Sequence, residues 1–549
     1  MHPEVGRKEK ALKRAADLVF LNGSVITVDS RDRICQGVAV GENRILAVGT
    51  TKEIKALAGP ETKIIDLKNR SLVPGFIDAH CHAGDYGPTK LNIVIRPGMI
   101  RSIGELKQEI RKRAATTPKG GWILGRGYDN TKFEERRHPT RWDFDQAAPE
   151  HKVFILRTCG HLGVLNSLAL SEFGIQKGIP DPHGGKIERD DRGEPTGLLY
   201  EQALVPVRMR TQPSYEEFLR GLPLMNEDFL RYGITSATDA SGRNSDQIQA
   251  FQKGASEGLF RVRIYFQVRT SGATIRVGEH FLQSGLITGF GNEKLRLGSY
   301  KLLLDGAGGA GSAAMREAYP SKPSDFGILH QSQEELDELV LNGHKAGYQV
   351  GVHAIGDRAV EMVLKSYAKA MKTFPRKDCR HRIEHCGFLD GSLMEQMKEM
   401  GVLAILGLPF LFELGDSYIT VFGQERLQCV YPLGSLMKRG IIAPLSSDAP
   451  VIDPNPMHGI YFAVTRKTPT GQTIAPQEAV TVLQAIRAYT MSGAYATFEE
   501  NIKGSLEPGK LADLVVLSDD ILKVAPEKIL GFKVDLTMVD GKVVYQRKT

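Results

Sequence analysis

Two histidines separated by one residue end an apolar run, Pro74-Gly75-Phe76-Ile77-Asp78-Ala79-His80-Cys81-His82. On a β-strand residues i and i+2 face the same side, so His80 and His82 can converge on one cation while Cys81 points away and packs. Neutral imidazole is the commonest nitrogen ligand for zinc and related ions. Three further candidate ligands each stand at the end of an expected strand: His353 after Gln349-Val350-Gly351-Val352, His385 after Arg382-Ile383-Glu384, and Asp448 after Leu445-Ser446-Ser447. Taken alone, such a histidine is more often a packing or surface residue and such an aspartate more often a helix cap. Donors at the same end of several separate strands describe a metal site.

Those strands alternate with amphipathic helical stretches, the mark of βαβ units and a parallel sheet. The expected strands are Val73–His80, Ile234–Asp239, Val262–Val268, Gly298–Leu304, Gln349–His353, Arg382–His385, Leu403–Leu408 and Ile441–Ser447. Helices are expected at Gln333–Gly347, Arg358–Lys372 and Ser392–Met400, the last capped by Gly401. The fold class is therefore α/β, a (β/α)8 TIM-type barrel, and such barrels carry catalytic groups on the C-terminal ends of their strands. Residues from about 83 to 232 are too many for a βα loop and are expected to form an insertion over that face. Both chain ends are β-rich, with turn signals at Asn22-Gly23, Gly41-Glu42-Asn43 and Asp540-Gly541. They are expected to form one small β-sandwich from 1–73 and 500–549, leaving 74–499 to the barrel.

Composition sets the outer bounds. Among 549 residues, 41% are hydrophobic and 25% charged, an ordinary globular balance. The net charge of +7 is small for this length, and no basic patch interleaved with aromatics suggests nucleic acid. The densest basic stretch, Arg7, Lys8, Lys10, Lys13 and Arg14, reads as a solvated tail or an anionic-surface contact. The six cysteines form no CxxC pair, which argues against a disulfide framework and fits a reducing, cytoplasmic setting. No secretory signal and no apolar run long enough to span a membrane are visible. The glycine-rich stretch Gly306–Gly311 lacks the Lys-Ser/Thr ending of a P-loop and is expected to be a flexible loop by the site.

The motifs PGFIDAHCH, KLLLDG, VHAIGDRA, RIEHC, SSDAP and GSLEPGKLADLVVL, in this order from about Ala16 to Tyr545, resemble the amidohydrolase superfamily. Within it they are most similar to amidohydrolase family 3, the YtcJ-like proteins. The resemblance implies a binuclear centre. His80 and His82 would hold one ion with Asp448, His353 and His385 the other, and a CO2-derived carbamate on Lys301 would bridge them. The residue-level alternative for Lys301 is a buried pair with Asp305, and a one-metal site of His80, His82 and Asp448 is also open. Zinc is the default for such N and O donors, with manganese or iron as alternatives. Asp448 would act as general base and then general acid. His161, in Thr158-Cys159-Gly160-His161, matches a Gly-His motif of the family and would bind substrate or make a structural hydrogen bond. The implied activity is hydrolysis of a C–N bond in an amide, an N-substituted formamide or a carbamate-like small molecule, by a protein that could be a homodimer. Ester or cyclic-amide hydrolysis, deamination, and a non-catalytic regulatory role on the same fold are the competing readings.

Overall fold

The computed structural model describes residues 15–95, 100–158, 160, 162–242, 244–270, 275–320 and 322–548, so the basic stretch from Arg7 to Arg14 lies outside the described residues. Seven strands form one parallel sheet: Phe76–Cys81, Ile234–Gly242, Arg263–Arg269, Leu295–Leu303, Val350–Ala354, Arg382–His385 and Leu403–Leu406. Each pairs in parallel with its successor, from the first strand onto the second through to the sixth onto the seventh. The sheet curls into a barrel whose helices cover the outside. Helix Gln333–Lys345 starts in a Ser332/Glu335 capping box and Gly391–Met400 ends at Gly401 in the left-handed conformation.

The eighth stave differs from expectation. Ile441–Ser447 is an extended segment whose only parallel bridge among the described residues joins Leu445 to Leu406. On one side Ala404 and Leu406 donate to the carbonyls of Ile442 (3.2 Å) and Pro444 (2.8 Å). On the other, Ala79 donates to Leu445 (3.1 Å) and Asp448 donates to His80 (2.8 Å). Pro444 has no N–H to give, and Leu445 sends its own to Ala488 (3.1 Å), so no regular ladder can form. The barrel thus closes through irregular backbone, and that closure ties Asp448 to the first strand.

The first strand is also shorter than expected. Ser71–Pro74 pairs with Ser24–Ile26 and Leu514–Leu517 in a different sheet, and the barrel begins at Phe76. Between them Gly75 is pressed against the second strand; a Cβ there would lie 2.1 Å from Thr235 Oγ1.

The chain ends contribute two sheets. One has the order Arg44–Gly49, Gly37–Gly41, Ala16–Leu21, Ala58–Asp66. The other has the order Lys542–Gln546, Val534–Val539, Leu514–Leu517, Ser71–Pro74, Ser24–Ile26, Ile34–Cys35. Leu18, Phe20, Val38 and Val40 of the first sheet share one apolar cluster with Leu72, Leu514, Val516 and Met538 of the second. Asn22-Gly23, read as a hairpin turn, instead passes the chain between the two sheets: Ala16–Leu21 and Ser24–Ile26 pair with different partners. Asn22 still takes the positive φ (58°) that makes Asn-Gly a turn signal, but here it serves a crossover. The expected hairpins at Gly41-Glu42-Asn43 and Asp540-Gly541 are present. A buried bidentate pair, Arg263 with Asp513 (2.6 and 3.0 Å), pins the base of the third barrel strand to the second terminal sheet.

Between the first and second barrel strands lies a six-stranded mixed sheet ordered Gly185–Arg189, Pro195–Glu201, Leu162–Leu165, Lys152–Arg157, Trp122–Tyr128, Ile93–Val94. Two apolar clusters cover its faces, one around Leu106, Phe144 and Val153 and the other around Phe154, Leu199 and Leu204. No helix among the described residues is long and apolar enough to cross a membrane.

Candidate metal centre

His80, His82, Lys301, His353, His385 and Asp448 line one cavity of about 260 Å3, together with Arg269 and Val451. All six chemistry-bearing positions expected on the barrel meet there, at the C-terminal ends of the first, fourth, fifth and sixth strands and the closing segment. His161 lies outside the described residues. The ligand atoms of His80, His82 and Asp448 lie within 4.8 Å of one another. Asp448 Oδ1 is 3.0 Å from His82 Nε2 and 3.5 Å from His80 Nε2. The rings of His353 and His385 are 4.5 Å apart, and those of His80 and His385 4.9 Å.

Two backbone distortions bring the last members in. His385 (φ 68°) and Asp448 (φ 58°) both occupy the left-handed region. For residues other than glycine this costs on the order of 1 kcal/mol or more and tends to persist where surrounding structure enforces it. Strand alternation would turn His385 away from the face that carries Glu384; its positive φ turns the ring back into the cavity. Asp448 is held by its N–H bond to His80, by His82 N–H donating to Ala449 (2.7 Å), and by the neighbouring Ser447, whose N–H (3.1 Å) and hydroxyl both donate to buried Asp78.

The orientation of His80 comes from a residue that motif spacing did not reveal. Glu384 Oε2 lies 2.6 Å from His80 Nδ1. A carboxylate there fixes the proton on Nδ1 and leaves the Nε2 lone pair facing the cavity. Glu384 is itself fully buried and accepts from Arg382 Nε (2.6 Å) and Gln267 Nε2 (2.9 Å). Gly351 makes room for it: a Cβ on that glycine would lie 2.7 Å from Glu384 Oε1. Burial alone would raise the Glu384 carboxyl, but Arg382 and His80 hold it well below the usual range. His82 has a lighter support, with Nδ1 2.9 Å from the Ser241 hydroxyl. A clue to Glu384 was available: Arg382 and Glu384 at i and i+2 on a buried strand have to be paired.

The cavity is electrostatically prepared for a cation. Burial pulls His80 down to about 4 and His385 down to about 3, the latter against the opposing pull of Asp448, while His353 is lowered well below its usual range. The three imidazoles are therefore neutral near pH 7 and can offer lone pairs. Burial alone would raise the Asp448 carboxyl, but the imidazoles of His82, His385 and His80 beside it hold it well below the usual carboxylate range and ionised. Burial draws the Lys301 amine down to about 7, against the pull of Glu384 and Asp448. Lys301 does not pair with Asp305, whose carboxylate instead takes the N–H groups of Ala314, Ile355 and Gly356 at 2.9–3.0 Å. Lys301 Nζ and His385 Nδ1 are buried without a hydrogen-bond partner, and Asp448 Oδ1 is buried with no aligned hydrogen bond, its 3.0 Å contact with His82 Nε2 being an ion-pair distance only. Three unsatisfied polar atoms lining one cavity are costly in a folded protein, and an N/O donor set of this kind fits a divalent ion that would satisfy them together.

The remaining expectations are quickly placed. Cys81 is buried with Sγ 3.5 Å from the Thr238 carbonyl, and Cys386 packs near Met397, so both are structural thiols. The glycine stretch after the fourth strand is tightly packed: a Cβ on Gly308 would sit 2.4 Å from the Tyr418 hydroxyl, and the Gly306 carbonyl meets His353 Nε2 at 3.2 Å. A second group of buried donors, His344, Cys379 and His381, lies at the opposite end of the barrel strands.

A family model described as the amidohydrolase family matches residues 63–545. An N-substituted formamide deformylase from Arthrobacter pascens is 29% identical over 548 residues, covering 97% of this chain and 98% of that one. YtcJ of Bacillus subtilis is 29% identical over 539 residues, covering 96% of this chain and 99% of the relative. A crystal structure from Pyrococcus horikoshii, described as an uncharacterized metal-dependent hydrolase, superposes with a TM-score of 0.76 at 25% identity, covering 93% of this chain and 99% of that one. A match running from the terminal sheet through every barrel strand, together with the cavity at their C-terminal ends, gives the assignment: the chain belongs to the amidohydrolase family.

Proposed function

We propose that this protein is a metal-dependent hydrolase that cleaves the C–N bond of a small amide, N-substituted formamide or carbamate-like compound. At the coarser level, metal-dependent hydrolysis follows from the family and its structural neighbours. The choice of a C–N bond draws on the deformylase relative. The observation that carries the site assignment is the set of unsatisfied buried atoms, Lys301 Nζ, His385 Nδ1 and Asp448 Oδ1, on one cavity wall.

In this reading His80, His82 and Asp448 would hold one divalent ion and His353 and His385 a second, with Lys301 as a carbamate serving as a further ligand. Zinc is the first choice, with manganese or iron as alternatives. Bound there, such ions supply Lewis acidity and a strongly acidified water at neutral pH. The chain does the rest. Glu384 keeps the His80 lone pair aimed inward, and the low-lying amine of Lys301 can lose its proton and add CO2. Asp448, ionised and backed by His82, takes the proton of the attacking water and returns it to the departing amine nitrogen. The segments 1–73 and 500–549 act as one supporting sandwich domain against the barrel of 74–499, and the insertion of about 83–232 covers the mouth and shapes substrate choice.

The test is a panel of N-formyl, N-acyl, carbamate and ester compounds offered to the metal-loaded protein, reading released amine or acid. Cleavage of a C–N compound, lost in Asp448→Asn, is the expected result. Cleavage of esters alone would overturn the C–N assignment, and a blank panel with no metal bound would overturn the hydrolase reading.

A further inference from the structure

A second cavity, of about 340 Å3, lies where the barrel meets the sheet that ends in Lys542–Gln546, and it shares no lining residue with the metal centre. Three cations reach it from three elements. Arg231 ends the helix Tyr215–Arg231, Lys533 precedes the strand Val534–Val539, and Arg547 follows Lys542–Gln546. Hydrogen bonds fix the frame around them. The Thr537 hydroxyl donates to the Leu230 carbonyl (2.7 Å), and the Arg547 N–H donates to the Asp535 carbonyl (2.9 Å). Ser518 holds Lys533 at both its carbonyl (2.9 Å) and its N–H (3.0 Å).

The neighbouring carboxylates do not neutralise these three. Asp228, which meets Arg231 at 2.8 Å, also meets Lys90 and accepts from the Tyr86 hydroxyl (2.9 Å). Asp535 meets Arg547 at 2.7 Å and is shared with Arg70 at 2.6 Å. Each of these carboxylates therefore serves two cations. Asp453 is engaged by the Tyr232 hydroxyl (3.4 Å) and by the Asn455 N–H (3.0 Å). Lys533 is exposed, and among the described residues its ammonium makes no ion pair or hydrogen bond. The helix Pro456–Thr465 lines the cavity at its start, through Asn455 and Met457, and that end of a helix carries partial positive charge.

The walls are aromatic as well as cationic. Tyr232, Phe532 and Tyr545 line the same space, and the Arg231 guanidinium lies 5.2 Å from the centre of the Tyr232 ring. The donors left over decide the head group. Arg231 and Arg547 have each engaged an aspartate already, and a lysine acts as a point charge, so no free planar fork is offered to the two oxygens of a carboxylate. A phosphomonoester brings three acceptor oxygens and close to two charges at pH 7, and can meet single donors from three directions. We propose that this cavity is a second binding site, for a small phosphomonoester that carries an aromatic ring. Its volume is at the small end for ligand pockets, which suits a compact aromatic body. The site stands apart from whatever the metal centre cleaves.

Titration calorimetry on the metal-loaded full chain tests this with three probes. Benzylphosphonate has no ester bond to hydrolyse, phenylacetate keeps the ring but carries a carboxylate, and methylphosphonate keeps the head group without the ring. Benzylphosphonate is expected to bind tightest of the three. Lys533→Gln should weaken it about 10-fold or more, the loss of one charge-assisted hydrogen bond, and Lys533→Glu should weaken it further, with melting curves reporting that both variants are folded. A phosphonate could also reach the metal centre, so the variants locate the site: unchanged affinity in Lys533→Glu would overturn the proposal. Phenylacetate binding as tightly would overturn the phosphoryl head group, and methylphosphonate binding as tightly would overturn the aromatic half. No binding of any of the three would overturn the site.

Discussion

The sixth barrel strand, Arg382–His385, has a histidine at each end, and the two live in opposite circumstances. At its start His381 Nδ1 accepts the Val350 N–H (2.9 Å) and its Nε2 meets His344 Nδ1 (2.9 Å), while His344 Nε2 meets the Phe374 carbonyl (2.6 Å). The carbonyl can only accept and the Val350 N–H can only donate, so both tautomers are fixed and every ring nitrogen is engaged. At the far end His385 Nδ1 has no partner and faces a cavity shared with Lys301, His353 and Asp448. Cys379 completes a donor set beside His344 and His381, but binding an ion there would require breaking bonds already made. The same residue types make a closed structural clasp at one end and an open coordination site at the other. What separates them is the count of free lone pairs, not the count of histidines.

Breaking the open end should cost activity; breaking the closed end should cost stability. The largest effect is expected for Asp448→Asn, with turnover falling by about 10²- to 10⁴-fold, the range of a general acid–base group. Asparagine tolerates the left-handed backbone at this position, so the melting temperature should hardly move, and calorimetry checks that. Glu384→Gln should affect both functions. It removes the charge facing buried Arg382, at roughly 3 kcal/mol or more in denaturant unfolding, and loosens His80, with metal affinity down about 10- to 100-fold. His381→Asn should leave metal content unchanged and cost about 1–3 kcal/mol for the unsatisfied groups it creates.

The smallest effect is a pH dependence. Burial lowers His344 and His381 below their ordinary range, so both are neutral in the folded state. The unfolded chain binds more protons below about pH 6.5, so their contribution to stability is full above that value and is lost as pH falls towards the folded pKa values. Unfolding between pH 7 and 5 should be steeper in wild type than in a His344→Asn, His381→Asn double variant. Equal slopes would show that the clasp is not a neutral pair.

Much of this architecture was legible because barrel strands alternate with helices and the candidate histidines and Asp448 stand at strand ends. The ladder positions of His353 and His385 follow from that pattern directly. The closing segment did not, because Pro444 removes a ladder donor while leaving the run apolar, a loss that hydrophobicity does not register. Asn22-Gly23 was misread as a hairpin because a positive φ is a local property, whereas which strands then pair is decided by the Leu18–Leu514 core contributed from both chain ends. Lys301 entered through family resemblance rather than spacing. The role of Glu384 stayed hidden because two of the residues it meets, His80 and Gln267, come from other strands.

The most direct test of the contrast between the two ends is the metal content of purified, dialysed protein by elemental mass spectrometry, in wild type, in His80→Ala with His385→Ala, and in His344→Asn with His381→Asn. The open-site account expects bound divalent ion in wild type, its loss in the first pair and its retention in the second. Ion kept by the first pair and lost from the second would place the metal at the clasp and contradict the account.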